Sequence, residues 1–197
     1  MNAPTKHDPA RTSHYLGDAF YQEIVDAYAD WQRDELIVED PRVTARFERL
    51  LYREARLLDR GLYEEWLKIY APEFVYWVPA TADGGDPRRE VAVTFDDRRR
   101  TEDRIFRFRT GYAWSQAPPS RTVHLIGNVE VFRTDRDSTM MVRSNFSISE
   151  FWSNETRTLT GSYGHRFVEQ NGQWLIQCKQ VCLIECDQSL RNPSIVL

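Results

Sequence analysis

Cysteine is scarce in this sequence, with three in 197 residues, and all three come late. An odd, small number fits a reducing compartment, and the cytoplasm is the expected location. No run of about 18 apolar residues is present, so no membrane-spanning helix is expected. The stretch Met1 to His14 is polar, carries two prolines and lacks the apolar centre of a secretory signal. Neither sign of charge dominates: 26 basic and 30 acidic residues leave a formal net charge of −4. A balance this weak excludes the electrostatic footprint of nucleic-acid or membrane-surface binding. A P-loop, a dinucleotide fingerprint and a G-x-S-x-G elbow are all missing.

What is present is aromatic. Six Trp, nine Tyr and ten Phe make up 13% of the chain, and 41% is hydrophobic. Such a chain buries large surfaces in a core or at a subunit contact, and its length suffices for a core without metal or disulfide staples. One basic run, Arg98-Arg99-Arg100 followed by Arg104, Arg107 and Arg109, is interleaved with Asp96, Asp97, Glu102 and Asp103. That pattern reads as a salt-bridged surface helix rather than a phosphate groove.

Residues 1 to about 17 read as a tail. Asp18 is placed to cap a helix from Ala19 to about Asp34, with Phe20, Ile24, Tyr28 and Trp31 on one stripe. Asp40-Pro41 marks a clearer helix start. Val43, Phe47, Leu50, Leu51, Glu54, Leu57 and Leu58 follow at near-helical spacing, and Gly61 closes the run. A short helix with Leu62, Trp66, Leu67 and Tyr70 is expected to end at Pro72. Phe74 to Val78 reads as a strand, Thr81 to Arg89 as a loop, and Thr101 to Arg109 as a helix with Ile105 and Phe108 inward.

From Arg121 the period changes to four long strands, about Arg121–Arg133, Thr139–Trp152, Thr156–Glu169 and Gln173–Asp187. Short turn sequences link them, Asn171-Gly172 giving the strongest hairpin signal. Helices first and an antiparallel meander after is the α+β pattern, with helices packed on one face of the sheet. Curved around that helical layer, the sheet makes a cone. Residues 1–40 then form a tail and extra helix, and residues 41–197 the main domain.

Cys178, Cys182 and Cys186 recur every four residues. On a strand, neighbours at that spacing stand about 13 Å apart, too far to share a metal held at about 2.3 Å. Structural cysteines are the reading they support. His7 and His14 lie in the tail, whereas His124 and His165 lie on separate strands. Two such histidines and an acid could make a facial triad for iron, but nothing in the spacing requires one, and hydrogen-bonded core histidines are the default. The pairs Glu64-Glu65 and Asp96-Asp97 read as solvated faces. Composition and spacing alone therefore lead to an α+β cone with no activity assigned.

Leu51-Tyr52-Arg53-Glu54-Ala55-Arg56-Leu57-Leu58-Asp59 carries a resemblance. Trp66-Leu67, Tyr76-Trp77-Val78-Pro79, Pro87-Arg88-Arg89-Glu90-Val91, Glu102-Asp103-Arg104-Ile105-Phe106-Arg107, Ser120-Arg121-Thr122-Val123-His124 and Asn128-Val129 continue it in order. Over about residues 43 to 187 the chain resembles the β (small) subunits of bacterial aromatic-ring-hydroxylating dioxygenases, nearest the benzoate and toluate type. The resemblance implies a cystatin-like cone, similar to scytalone dehydratase and nuclear transport factor folds. It also implies a non-catalytic structural chain supporting an iron-containing α subunit in an α3β3 hexamer with a β trimer. The Rieske 2Fe-2S cluster and mononuclear iron are then expected in the α partner, fed with electrons from NAD(P)H through a reductase or ferredoxin. No cofactor, metal or catalytic residue is expected in this chain. No cysteine here has a histidine two or three residues on, as a Rieske site needs.

Under that resemblance, Arg53, Asp59, Arg104 and Arg121 are candidates for ion pairs or backbone caps where helices meet the sheet. Ordinary surface arginines are the competing reading. Trp77, Trp114 and Trp152 are candidate subunit contacts, with core burial as their alternative. Two other functions remain open at this level. One is a stand-alone dehydratase or isomerase using His124 with Asp59 or Tyr76 across an open cavity; the other is a small-ligand module using the same cavity.

Overall fold

The structure is a computed structural model, and it describes residues 16–82, 84–87, 89–110, 116, 118–188, 190, 192 and 194–197. Helix α1 spans Asp18–Tyr28, α2 Pro41–Asp59, α3 Tyr63–Leu67 and α4 Arg98–Thr110. The strands are β1 Tyr70–Pro79, β2 Ala92–Asp96, β3 Arg121–Arg133, β4 Thr139–Trp152, β5 Glu155–Gln170 and β6 Gln173–Leu183.

Local chemistry sets the helix ends. The Asp40 side chain accepts the Arg42 amide at 2.8 Å, and Pro41 opens α2 at the position where its missing N–H costs nothing. At the far end Gly61 takes φ 63°, and the amide of Leu62 reaches back to the carbonyl of Leu57. That left-handed closure is cheap only for glycine.

Six strands form one sheet in the order β2-β1-β6-β5-β4-β3. The four long strands make the expected antiparallel meander. The sheet is not antiparallel throughout, because β1 runs parallel to β6. The chain reaches β6 only after crossing the whole meander, so β1 comes to lie beside the last strand instead of the first. Helix α2 packs across the concave face, against β3 above all. The main core lies between them, with Phe47, Leu51, Leu58, Phe146, Ile148 and Phe167 among its buried residues. Ile195, Val196 and Leu197 are buried in the same core.

Several elements differ from the sequence reading. The first helix stops at Tyr28, not Asp34, and Asp18 sits in its first turn while Gly17 occupies the cap. Asp30 then takes φ 51° and turns the chain so that Trp31 lands on the sheet. The helix through Trp66 ends at Leu67. Pro72 lies inside β1, at the register shift between Tyr70 and Val75, where no amide is needed. Strand β2 is not evident in the sequence because it is short and its Val93, like Val91 just before it, is exposed. β6 ends at Leu183, so Cys186 lies beyond the strand.

The outer face of the sheet is not bare. Phe20 and Ile24 of α1 pack on Val75, Trp77 and Cys178, and Trp31 packs on Phe132 and Met141. The Tyr28 hydroxyl donates to the Gly164 carbonyl at 2.8 Å. A Cβ at Gly164 would press on the rings of Tyr28 and Trp31 at 2.9 and 3.2 Å, so a strand glycine is what lets this arm lie flat. Glu23 anchors it further through Arg166 at 2.7 Å and Arg136 at 3.0 Å.

Candidate functional site

Two charged clusters occupy the concave side, where a cone-fold enzyme would hold its substrate. The deeper one centres on Glu54, which α2 points into the core between Leu51 and Leu58. Its carboxylate accepts from Trp66 Nε1 at 3.1 Å, Tyr70 OH at 2.7 Å, His165 Nε2 at 2.9 Å and Lys179 Nζ at 3.1 Å. Burial would raise the Glu54 pKa, but Lys179, His165 and the hydrogen bonds reverse that and hold it well below the ordinary carboxylate value. Burial depresses both His165 and Lys179, against the pull of Glu54. His165 is therefore neutral, with its proton on Nε2. The Lys179 ammonium also stands 4.3 Å from the centre of the Tyr163 ring.

Neutral buried histidines have a consequence for acid stability. Burial also lowers the pKa of His124. For both histidines the unfolded chain takes up protons first, so stability is full above about pH 6.5 and falls as pH drops below it. Glu54 adds a second loss below its ordinary value near 4.5. Melting temperature should fall between pH 7.5 and pH 4.5, and H165Q should shrink the fall above pH 5. Equal stability at pH 7.5 and pH 5 contradicts the assignment of neutral histidines.

The second cluster joins α2 to the free edge of the sheet. Asp59 accepts from the Thr122 hydroxyl at 2.9 Å, from the His124 amide at 3.1 Å and from His124 Nδ1 at 2.5 Å. Its carboxylate thus ties down an amide on β3 that no neighbouring strand can satisfy, one way of closing an exposed sheet edge. Farther along, Ile37 bridges Phe132 and the Val38 amide donates to the Val131 carbonyl. D59A should cost about 1–3 kcal/mol, the usual penalty for stranding buried donors, and should speed amide exchange at His124 in hydrogen-exchange mass spectrometry. Unchanged exchange there rules out the edge-capping role.

A His124-Asp59 pair is thus formed, as a stand-alone dehydratase requires, but the rest of that site is missing. The space in front of it is walled by Leu51, Ala55, Leu58, Ile126, Tyr163 and Lys179 and has no room for even one water molecule. Tyr76 is not across a cavity from it. The Tyr76 hydroxyl instead accepts the Leu197 amide at 2.9 Å. A base without space for substrate performs no chemistry. The open-cavity requirement fails, and with it the small-ligand reading of the same space.

The other sequence candidates lie in varied surroundings. Arg104 pairs with Asp96 at 2.5 Å and reaches Thr94 at 3.3 Å, holding α4 to β2. Arg121 is exposed and lies 4.6 Å from the Phe151 ring centre, whereas Arg53 is exposed on α2 with no ion pair among the described residues. Trp77 is not available as a subunit contact. It is 1% exposed, with Tyr28 and Phe95 edge-on to its ring, because α1 covers the outer face at that point. Trp152 is half-buried at the end of β4. Trp114, His7 and His14 lie outside the described residues. Cys178 is buried beneath α1, and burial pushes its thiol pKa up to about 12. Cys182 and Cys186 are half-buried and form no disulfide among the described residues. Among the described residues no group of three or more His, Cys, Asp or Glu is placed to hold a metal ion, and no helix is long and apolar enough to cross a membrane.

Sequence reading passed over the Glu54-His165-Lys179 cluster, although signals were available. Glu54 interrupts an apolar stripe, and Lys179 shares a strand face with Val181 and Leu183. A charge at a core-facing position calls for a partner.

Comparison with known proteins accounts for this architecture. The family model of the ring hydroxylating beta subunit matches residues 53–188. The 2-halobenzoate 1,2-dioxygenase small subunit of Burkholderia cepacia is 44% identical over 92 residues, 44% of this chain and 56% of that protein. The benzoate 1,2-dioxygenase subunit beta of Acinetobacter baylyi is 36% identical over 112 residues, 54% of this chain and 65% of that protein. The chain thus spans less than two thirds of the length of these two relatives in the aligned parts. The crystal structure of the beta subunit of benzoate 1,2-dioxygenase from Burkholderia mallei superposes with a TM-score of 0.62 at 25% identity, covering 77% of this chain and 96% of that one. A putative scytalone dehydratase from Novosphingobium aromaticivorans shares the cone, with a TM-score of 0.53 at 17% identity over 74% of this chain and 87% of that one. With α2 packed on one face of a six-stranded sheet, α1 on the other, and residues 53–188 matched by the family model, the chain belongs to the ring hydroxylating beta subunit family.

Proposed function

We propose that this chain is the structural small subunit of a multicomponent aromatic-ring-hydroxylating dioxygenase acting on a small aromatic acid of the benzoate kind. The observation that carries the reading is the filled cone in a chain of this family: the fold is kept while the space a cone enzyme needs is occupied by core. A family domain of residues 41–197 supports the large α subunit, and residues 1–40 add an arm to it. The Rieske cluster and mononuclear iron belong to that partner, which receives NAD(P)H electrons through a reductase or ferredoxin. Three large and three small chains, with the small chains as a trimer, make the cytoplasmic enzyme.

Co-expression with the large-subunit gene beside its own tests the reading. The expected product is a stable complex whose mass fits three copies of each chain, oxidising benzoate-type acids, while the lone chain carries no stoichiometric iron. Tightly bound iron in the lone chain, or failure of the two chains to associate, contradicts it.

A further inference from the structure

Helix α2 carries a second pattern besides its buried stripe. Arg42, Arg46, Arg49, Arg53, Arg56 and Arg60 recur every three or four residues, and all six are exposed. At 3.6 residues per turn they fall on one side of the helix, along a line of about 27 Å. Among the described residues none of the six is joined to a carboxylate, although ion pairs are common elsewhere on the chain. Their contacts are slight: Arg49 Nε donates to the Ala45 carbonyl at 3.1 Å, and Arg46 leans over the Trp174 ring at 5.8 Å.

The arginines of α4 behave differently. Arg98 donates to the carbonyls of Ala71 and Pro72 at 2.6 and 2.7 Å, Arg104 pairs with Asp96, and Arg109 lies 3.6 Å from Glu64. Arg98, Arg104 and Arg109 of α4 are thus engaged by the fold, whereas none of the six on α2 meets a carboxylate among the described residues. Like charges three and four residues apart repel on a lone helix, so the α2 stripe is the less comfortable arrangement until something negative covers it.

Beside the stripe runs a groove of about 480 Å³ between α2 and the start of β6. Leu50, Ile69, Phe167 and Trp174 give it an apolar floor, and Arg46, Arg53 and Lys68 stand at its rim. The Trp174 indole N–H is buried at the atom with no acceptor. Its contents would therefore be an apolar or aromatic side chain with a hydrogen-bond acceptor and carboxylates on either side.

We infer that the arginine face of α2, with the groove at its flank, is the docking surface for an acidic segment of the large oxygenase subunit. This rests on the structural-subunit reading above and names the surface that reading leaves open. Guanidinium forks bind carboxylates two bonds at a time, and Arg and Trp are the residue types concentrated at contact hot spots. A second copy of this chain is the poorer occupant, since the same face on two copies repels. Nucleic acid is poorer too, because outside these six arginines the chain is acidic.

The test uses the co-expressed complex. Arg46→Glu/Arg53→Glu is compared with wild type and with Arg89→Glu, an exposed charge reversal away from the groove, after circular dichroism confirms that each small chain folds. The inference expects wild type and R89E to co-elute with the large chain, with retention falling as salt rises, and the double variant to lose at least tenfold in retained partner. Co-elution of the double variant at the wild-type level overturns the surface while leaving the subunit reading intact. Failure of wild type to associate overturns both. A 20-base-pair duplex held at 0.15 M salt by wild type and released by the double variant overturns the inference in favour of a nucleic-acid partner.

Discussion

Replacing Glu54 with alanine is expected to cost about 3–5 kcal/mol, the usual result of removing one member of a buried ion pair. The loss comes from what remains. Lys179 and His165 stay buried with no carboxylate, and the donors of Trp66 and Tyr70 lose their acceptor. For a domain of this size that is a large share of total stability. The charge balance can be separated from the packing. A double variant with Glu54 and Lys179 both changed to methionine removes the pair together and fills similar volume, so it should be less destabilised than E54A alone. Urea unfolding of the three proteins decides the matter. A double variant less stable than E54A would mean that the cluster matters for shape and not for charge.

Removal of residues 1–37 should have an effect of similar size. The arm supplies Phe20, Ile24 and Trp31 to the outer face, and cutting a single large buried aromatic to alanine costs about 3–5 kcal/mol. Without the arm, Val75, Trp77 and Cys178 face water. The Cys178 thiol, pushed up to about 12 by burial, would return toward the ordinary range near 8.5. Native iodoacetamide labelling followed by peptide mass mapping reads this directly. Cys178 is expected to be unreactive in the full chain and labelled in the truncated one. Protection of Cys178 in both proteins would show that α1 is not what covers it.

Much of the fold could be read in the sequence because each long strand announces itself. Phe146-Ser147-Ile148-Ser149 alternates apolar and polar within Thr139–Trp152, and turn residues stand at each end of that strand. Asp40-Pro41 and Gly61 bracket α2 by backbone chemistry that needs no tertiary context. Errors arose where tertiary contacts outweigh local preference. Trp31 continues a helical stripe in sequence, yet the chain leaves the helix at Tyr28 so that this ring can reach Phe132 across the sheet. Pro72 stops helices and is absent from most strands, yet it fits β1 at a point where the ladder is already broken. Trp77 could be read either as a subunit contact or as core, because nothing in the sequence says that residues 18–31 return to cover it. Gly164 was the clue, a strand glycine marking the place where another segment comes close.

The site was less legible than the fold. Asp59 and His124 are each visible in the motifs, but whether a His-Asp pair faces a cavity or a wall depends on volumes contributed by Leu51, Ile126 and Tyr163 from three different elements. Spacing along the chain carries no information about such volumes. The arginine face of α2 is periodic and was open to inspection, but its meaning depends on the absence of partners in space.

Turnover of the assembled oxygenase with the small subunit carrying His124→Gln tests the scaffold reading most directly. Rates are taken per iron in the large chain, on complexes shown by mass to be intact. A scaffold predicts a rate within about twofold of wild type, because His124 has nothing to act on. A general base in the reaction typically contributes about a hundredfold or more. A loss of that size in an intact complex would place chemistry inside this cone and contradict the account.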